Sequence, residues 1–238
     1  YSTSILEENK ANAITNCFYV GSYTDLDFTD QDKKVSAYRL GSGNLTYMLN
    51  ENGATNVWRQ GELCPELTVN QGGTYKLTIS YVAAGVTTSE TVYMNAGDTY
   101  TPKGVTATLT SAGNVENNVF TMPAANTSLT VTTSTPNILD YASNTSSTSF
   151  IVTNAAGFAH MATLVNGGTT LSGVSIYMLN DINMTDVANH TPIGVFISDD
   201  DHSTSFQGKL YGNGYKVLYL RVEQTELNGA GLFGATYK

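Results

Sequence analysis

Residues 74–82, TYKLTISYV, alternate apolar and polar side chains, with Tyr75, Leu77, Ile79 and Tyr81 on one side and Lys76, Thr78 and Ser80 on the other. Successive side chains of an extended chain point to opposite sides, so a period of two over this length belongs to a strand with one buried face. A helix of the same residues would spread the apolar groups around its circumference. The pattern returns at ETVYMNAGDTY, GVTATLT, NVFTMP and SLTVTTS, with Gly, Asn or Pro between the runs. This spacing predicts antiparallel hairpins in a small β-sandwich-like repeat domain over residues 68–135.

The flanks point to an all-β chain with two short helices. Leu45, Met48 and Leu49 lie at helical spacing and Gly53 follows as a stop; Phe158, Met161, Ala162 and Val165 do the same before Gly167-Gly168, with Asn154 as N-cap. Trp58, beside the first helix, is expected to plug a core. Residues 134–149 hold eight Ser or Thr and read as a linker or an exposed entry segment to the last region. Strands are expected at FIVT, VSIYMLN, GKLY and YKVLYLRV, with a tight turn at Gly212-Asn213-Gly214. In the last run, Leu218, Leu220 and Val222 are expected to face inward. Tyr215 and Tyr219 could then form an outward aromatic row suited to glycan contact, or serve ordinary packing or assembly.

Only 13% of the 238 residues are charged, and the net charge is −9. A surface of Thr, Ser, Asn and Gly suits an extracellular β protein, while the acidic balance argues against nucleic acid and anionic lipid as partners. No apolar run approaches the ~18 residues of a membrane span, so membrane insertion is not expected. Tyr1 in place of an initiator Met marks a processed chain or an excised piece. Cys17 and Cys64 read either as free, buried small residues or as one disulfide.

Catalytic patterning is thin. His160, His190 and His202 fall in no nucleophile–base motif, and no G-x-S-x-G or phosphate-cradling loop is present. Two acidic stretches, Asp25–Asp32 and Asp199–Asp201 with His202, carry oxygen ligands suited to calcium, but each also reads as a solvated loop. The expectation is no enzyme, no catalytic residue, no cofactor and no bound metal; two cysteines are too few for a structural zinc site, and calcium is the one ion these acidic stretches would suit.

Several short elements together resemble the GLUG-motif regions of bacterial cell-surface and adhesin-like proteins. They are Leu164-Val165-Asn166-Gly167-Gly168, Asn180-Asp181-Ile182, the TPIG of 191–194, Phe206-x-Gly208 with Gly212-Asn213-Gly214, and Gly231-Leu232-Phe233-Gly234. Lys209-Leu210-Tyr211 and the Asp199–Asp201 insertion depart from that pattern. Residues 136–238 thus resemble the opening of such a region. Residues 1–67, with NCFYV, a short helix and VWRQG, resemble its closing segment. The FTMPA of 120–124 followed by Leu129-Thr130-Val131 resembles small β repeats of bacterial surface proteins. The resemblance implies β-rich, solenoid-like segments flanking the central repeat, on a bacterial cell surface, and transfers no catalytic residue.

The implied function is non-enzymatic: a surface stalk, an adhesive segment or a head-to-tail filament subunit. The rival reading is a carbohydrate-binding or carbohydrate-active β-helical module. Expected partners are further copies or neighbouring domains of a larger surface protein, and a glycan or host surface. An array that begins with its end and stops inside its start either belongs to a longer protein or leaves an edge for the next subunit. Gly231, Leu232, Phe233 and Gly234 on one side, and Cys17, Phe18 and Tyr19 on the other, are the expected assembly edge.

Overall fold

A computed structural model describes residues 19–20, 34–35, 41–68, 72–223 and 229–238. The chain is β-rich, with several small sheets and short helices. Tyr19–Val20 (β1) and Lys34–Val35 (β2) pair in parallel. Asn44–Leu49 forms the first helix (α1), whose buried face is Leu45 and Thr46. Trp58–Gln60 (β3) and Pro65–Leu67 (β4) make an antiparallel hairpin. Trp58 is half-buried on that hairpin and plugs no core. Cys64 is a free thiol and exposed at the hairpin turn, contrary to a buried reading; Cys17 lies outside the described residues.

The central region follows. Thr74–Ala83 (β5) and Val86–Asn95 (β6) form a ten-residue antiparallel ladder. Thr99–Tyr100 (β7), Ala107–Thr110 (β8), Val115–Glu116 (β9), Val119–Thr121 (β10) and Thr127–Thr133 (β11) complete two sheets, ordered β6-β5-β11-β8 and β7-β10-β9. Tyr75, Leu77, Ile79 and Tyr81 are buried, as alternation requires, and pack with Leu129 and Val131 of β11 and Phe120 and Met122 from the second sheet. The expected run of antiparallel hairpins holds only at β5–β6 and β9–β10, and one pairing is parallel. β11 lies parallel to β5, Leu129 beside Ile79, because the chain crosses through the second sheet before returning between β5 and β8. A parallel return needs a crossover of a dozen or more residues, which 96–126 supplies.

Residues 134–149 are no exposed linker. Asn137 and Ile138 are buried, the Ile151 N–H donates to Pro136 O at 2.9 Å, and Ile138–Ser143 forms a 3-10 helix capped by the Asn137 side chain. Ser149–Val152 (β12) leads into the second helix, Ala155–Asn166 (α2), where Asn154 accepts from the Gly157 N–H at 3.1 Å as the expected N-cap. Ser175–Met178 (β13), Ile182–Asn183 (β14), Lys209–Tyr211 (β15) and Val217–Leu218 (β16) then run as parallel passes. β12, β13 and β15 form one sheet, with Phe150 beside Ile176 and Ile176 beside Leu210; β14 pairs with β16. Isolated parallel bridges extend the same stacking at Ile193–Phe233 and Phe206–Thr236. Phe158, Met161 and Val165 of α2 pack on Phe150, Ile176 and Ile182 inside these passes.

Candidate assembly surface

The last pass, described over residues 208–223 and 229–238, is held against the one before it by interlocked elements. Asn166, the last residue of α2, uses both ends of its amide: Nδ2 donates to Pro192 O at 3.1 Å, and Oδ1 accepts from the Gly194 N–H at 2.8 Å. Residues 191–194 hold the final turn in the same way. The Ile193 N–H donates to Leu232 O, and the Gly234 N–H to Ile193 O, both at 2.9 Å. Gly194 has φ +87°, and a side chain there would run into the Ala235 carbonyl; one at Gly234 would meet the Gly194 carbonyl. Glycine at both positions lets the two backbones touch.

His190 adds a side-chain clasp. Its backbone N–H donates to Arg221 O at 2.8 Å, and its Nε2 lies 3.3 Å from Leu232 O, a distance that suits an Nε2–H donor. Its Nδ1 is buried and has no partner among the described residues. Burial holds the imidazole pKa below its ordinary value, so the neutral ring is favoured. Phe233 half-buries against Phe206, ring centroids 5.0 Å apart.

The other corner of the last pass is tied to the central sheets. Asn213 Nδ2 reaches both Met178 O and Lys103 O at 2.9 Å, and the Lys216 N–H donates to Asp181 Oδ1 at 2.8 Å. Tyr81 and Tyr100 both donate their hydroxyls to Leu179 O, at 3.3 and 3.1 Å. Tyr215 packs against both hydrophobic cores, and burial pushes its hydroxyl pKa up to about 12. The expected outward aromatic row is therefore wrong. Tyr215 and Tyr219 pack inward with Val217 and Leu220. Tyr219 has φ +58°, which ends the strand geometry after Leu218 and with it the two-residue period.

β15 has β13 on one side and, among the described residues, no strand on the other. The Lys209 N–H donates to Val174 O at 2.8 Å, which turns the backbone N–H and C=O of Leu210 away from β13. Outside the sheet, Tyr211 stacks on Tyr177, centroids 4.8 Å apart and planes 10° from parallel.

Of the expected edge residues, Gly231, Leu232, Phe233 and Gly234 lie half-buried in this last pass. Tyr19 belongs to the small β1–β2 pair, and Cys17 and Phe18 lie outside the described residues. Asp25–Asp32 also lie outside them. Among the described residues, no three His, Cys, Asp or Glu side chains converge as a metal site. Asp201 Oδ1 instead accepts from the Ser203 N–H at 3.0 Å, and these hydrogen bonds lower its pKa. The His202 ring stacks on Tyr237 at 3.6 Å. A groove of about 380 Å³ runs between α2 and residues 187–191. Of its polar side chains, Asn166 is engaged as above, Thr163 with Ala159 O and Asn189 with Glu223, whereas the buried His190 Nδ1, which also lines it, has no partner among the described residues. Asn166 as a clamp was not foreseen, although its place just ahead of two glycines at a helix end marks it.

No protein-family model, curated protein or solved structure matches the chain. Among the described residues, no helix is long and apolar enough to cross a membrane.

Proposed function

We propose that the chain is a non-enzymatic structural or adhesive protein of a bacterial cell surface, whose GLUG-type, solenoid-like passes serve as a joint for head-to-tail assembly. The observation that carries the reading is the in-register parallel stack β12-β13-β15, whose last strand has a neighbour on one side only among the described residues. A stack of this kind is extended by adding another strand in the same register, since each pass contacts only its neighbours. The elements behind the GLUG resemblance support the same reading. Asn166 bonds Pro192 and Gly194, and Ile193 between them bonds Leu232, so these short motifs act as fasteners between passes.

The contact is heterologous, one end meeting a different end, and such contacts propagate as chains. Negative-stain electron microscopy and sedimentation of the purified chain over a concentration series test it. Linear particles and a mass that grows with concentration are expected. A single monomeric species at every concentration refutes the reading.

A further inference from the structure

The sheet β6-β5-β11-β8 has one closed edge and one open edge. At β8, Asn118 stands in for a further strand: its Oδ1 accepts from the Leu109 N–H and its Nδ2 donates to Ala107 O, both at 2.8 Å. At β6 the alternation of an antiparallel ladder decides which groups are free. The Ala96 N–H donates to Gly73 O at 2.9 Å, one step beyond the Thr74–Asn95 pair, so even-numbered residues of β6 bond β5 and odd-numbered ones turn away. The Asn95 N–H goes to Asp98 Oδ2 at 3.1 Å, and Gly43 packs beside Tyr93. Thr87, Ser89 and Thr91 are left. All three are exposed, and their outward N–H and C=O groups have no partner among the described residues.

Long edges are commonly guarded by a proline, a bulge or an outward lysine. β6 carries none of these. Its ten residues pair with β5 without a break, and its one charge, Glu90, lies half-buried on the core face, in register with Ile79. Thr88 lies on the same face, its hydroxyl 2.9 Å from that of Thr153. The strand itself points to its partner. Residues 86–92, Val-Thr-Thr-Ser-Glu-Thr-Val, read almost the same in both directions about Ser89. A two-fold contact requires this self-complementarity, because residue i meets j and j meets i.

We infer that a second copy of this chain lays its own β6 antiparallel along this one, about a two-fold axis at Ser89. Ser89 then faces Ser89 of the second copy, Thr87 faces Thr91, and Val86 faces Val92. Glu90 faces Thr88 and not its own counterpart, so no like charges stand directly opposed. Within one copy the Ser80 and Ser89 hydroxyls already meet at 3.2 Å, and the Ser89 pair adds a like contact across the axis. Thr87, Ser89 and Thr91 exchange backbone hydrogen bonds with the facing strand, and two four-stranded sheets join edge to edge. A contact this small is weak and shows at high concentration. It is isologous and stops at two copies, so it is separate from the head-to-tail contact proposed above.

Sedimentation of the full chain over a concentration series, with three variants, tests the pairing. S89P removes the outward N–H at the axis and keeps the β5 ladder, since proline is tolerated where an edge N–H faces water. T87K/T91K sets like charges opposite each other across the axis, and T87K/T91E sets opposite charges there. All three positions are exposed, and circular dichroism with thermal melting checks each fold. If S89P fails to fold, the two charge variants decide. S89P and T87K/T91K are expected to weaken pairing at least about tenfold, and T87K/T91E to pair at least as tightly as wild type. If the variants associate as wild type does, or the two charge variants weaken association alike, the β6 contact falls. Mass that grows past two copies and is untouched by the variants leaves head-to-tail assembly standing alone. A wild type that stops at two copies, and loses the pair in S89P and T87K/T91K, upholds the β6 contact and overturns the head-to-tail reading. A wild type that never associates overturns both.

Discussion

Gly104 has φ +82°, and a side chain there would run into the ring of Tyr177, which in turn stacks on Tyr211. Both backbone and space demand glycine. Gly104→Ala is expected to cost about 2 kcal/mol, since a left-handed residue with a Cβ costs ~1–2 kcal/mol before any clash. Urea unfolding measures this. His190 carries a pH dependence. Its folded pKa lies below the ordinary 6.5, so the unfolded chain binds more protons as pH drops through that range. Stability should be full above about 6.5 and fall as pH drops toward the lowered folded value. Glu90, whose pKa burial raises, works in the opposite direction at more acidic pH. The melting temperature of His190→Gln, compared with wild type across this range, isolates the histidine and should show a flatter profile. A parallel pair of profiles would remove His190 from the account. At this scale the sequence was partly legible. Asn154 and the inward side chains of β5 follow from local rules, whereas Tyr219 does not, because its positive φ breaks the two-residue alternation and lets it pack inward beside Leu220.

The β3–β4 hairpin survives through side chains that stand in for a strand. Buried Asn50 accepts from the Trp58 N–H at 2.8 Å and donates to Trp58 O at 2.6 Å, and Asn95 does the same for Gln60. A two-stranded hairpin alone is marginal in water. Asn50→Ala is expected to cost about 2–3 kcal/mol, because it leaves two backbone groups unpaired. Hydrogen exchange should then speed up across 58–67 and not across β5. Uniform loss of protection would instead mean that the hairpin and β5 unfold together. Element by element, strong alternation was easy to read and composition misled. Residues 134–149 look like a linker by their Ser and Thr, yet Ile138 sits in the core beneath β12 and α2. The parallel return of β11 was hidden because periodicity reports a buried face and not the direction of the neighbour.

The molecule joins two cores through Leu179, Tyr81, Tyr100 and Tyr215, so the central sheets brace the parallel passes from one side. Such long-range contacts leave no local mark in a sequence, since a buried tyrosine in an alternating strand looks the same whatever its hydroxyl reaches. The order of the short motifs carried a resemblance to a repeat region and no more. That they fasten one pass to the next became visible only in the bonds of Asn166, His190 and Leu232. The central claim is that the free side of β15 receives a strand from another copy. Hydrogen exchange at Lys209 and Leu210, in dilute and in concentrated protein, tests it within a single strand. The Lys209 amide, bonded to Val174, should be protected at both concentrations, and the Leu210 amide, which faces away from β13, should gain protection only as the protein is concentrated. A Leu210 amide that exchanges at the same rate at every concentration would contradict the account.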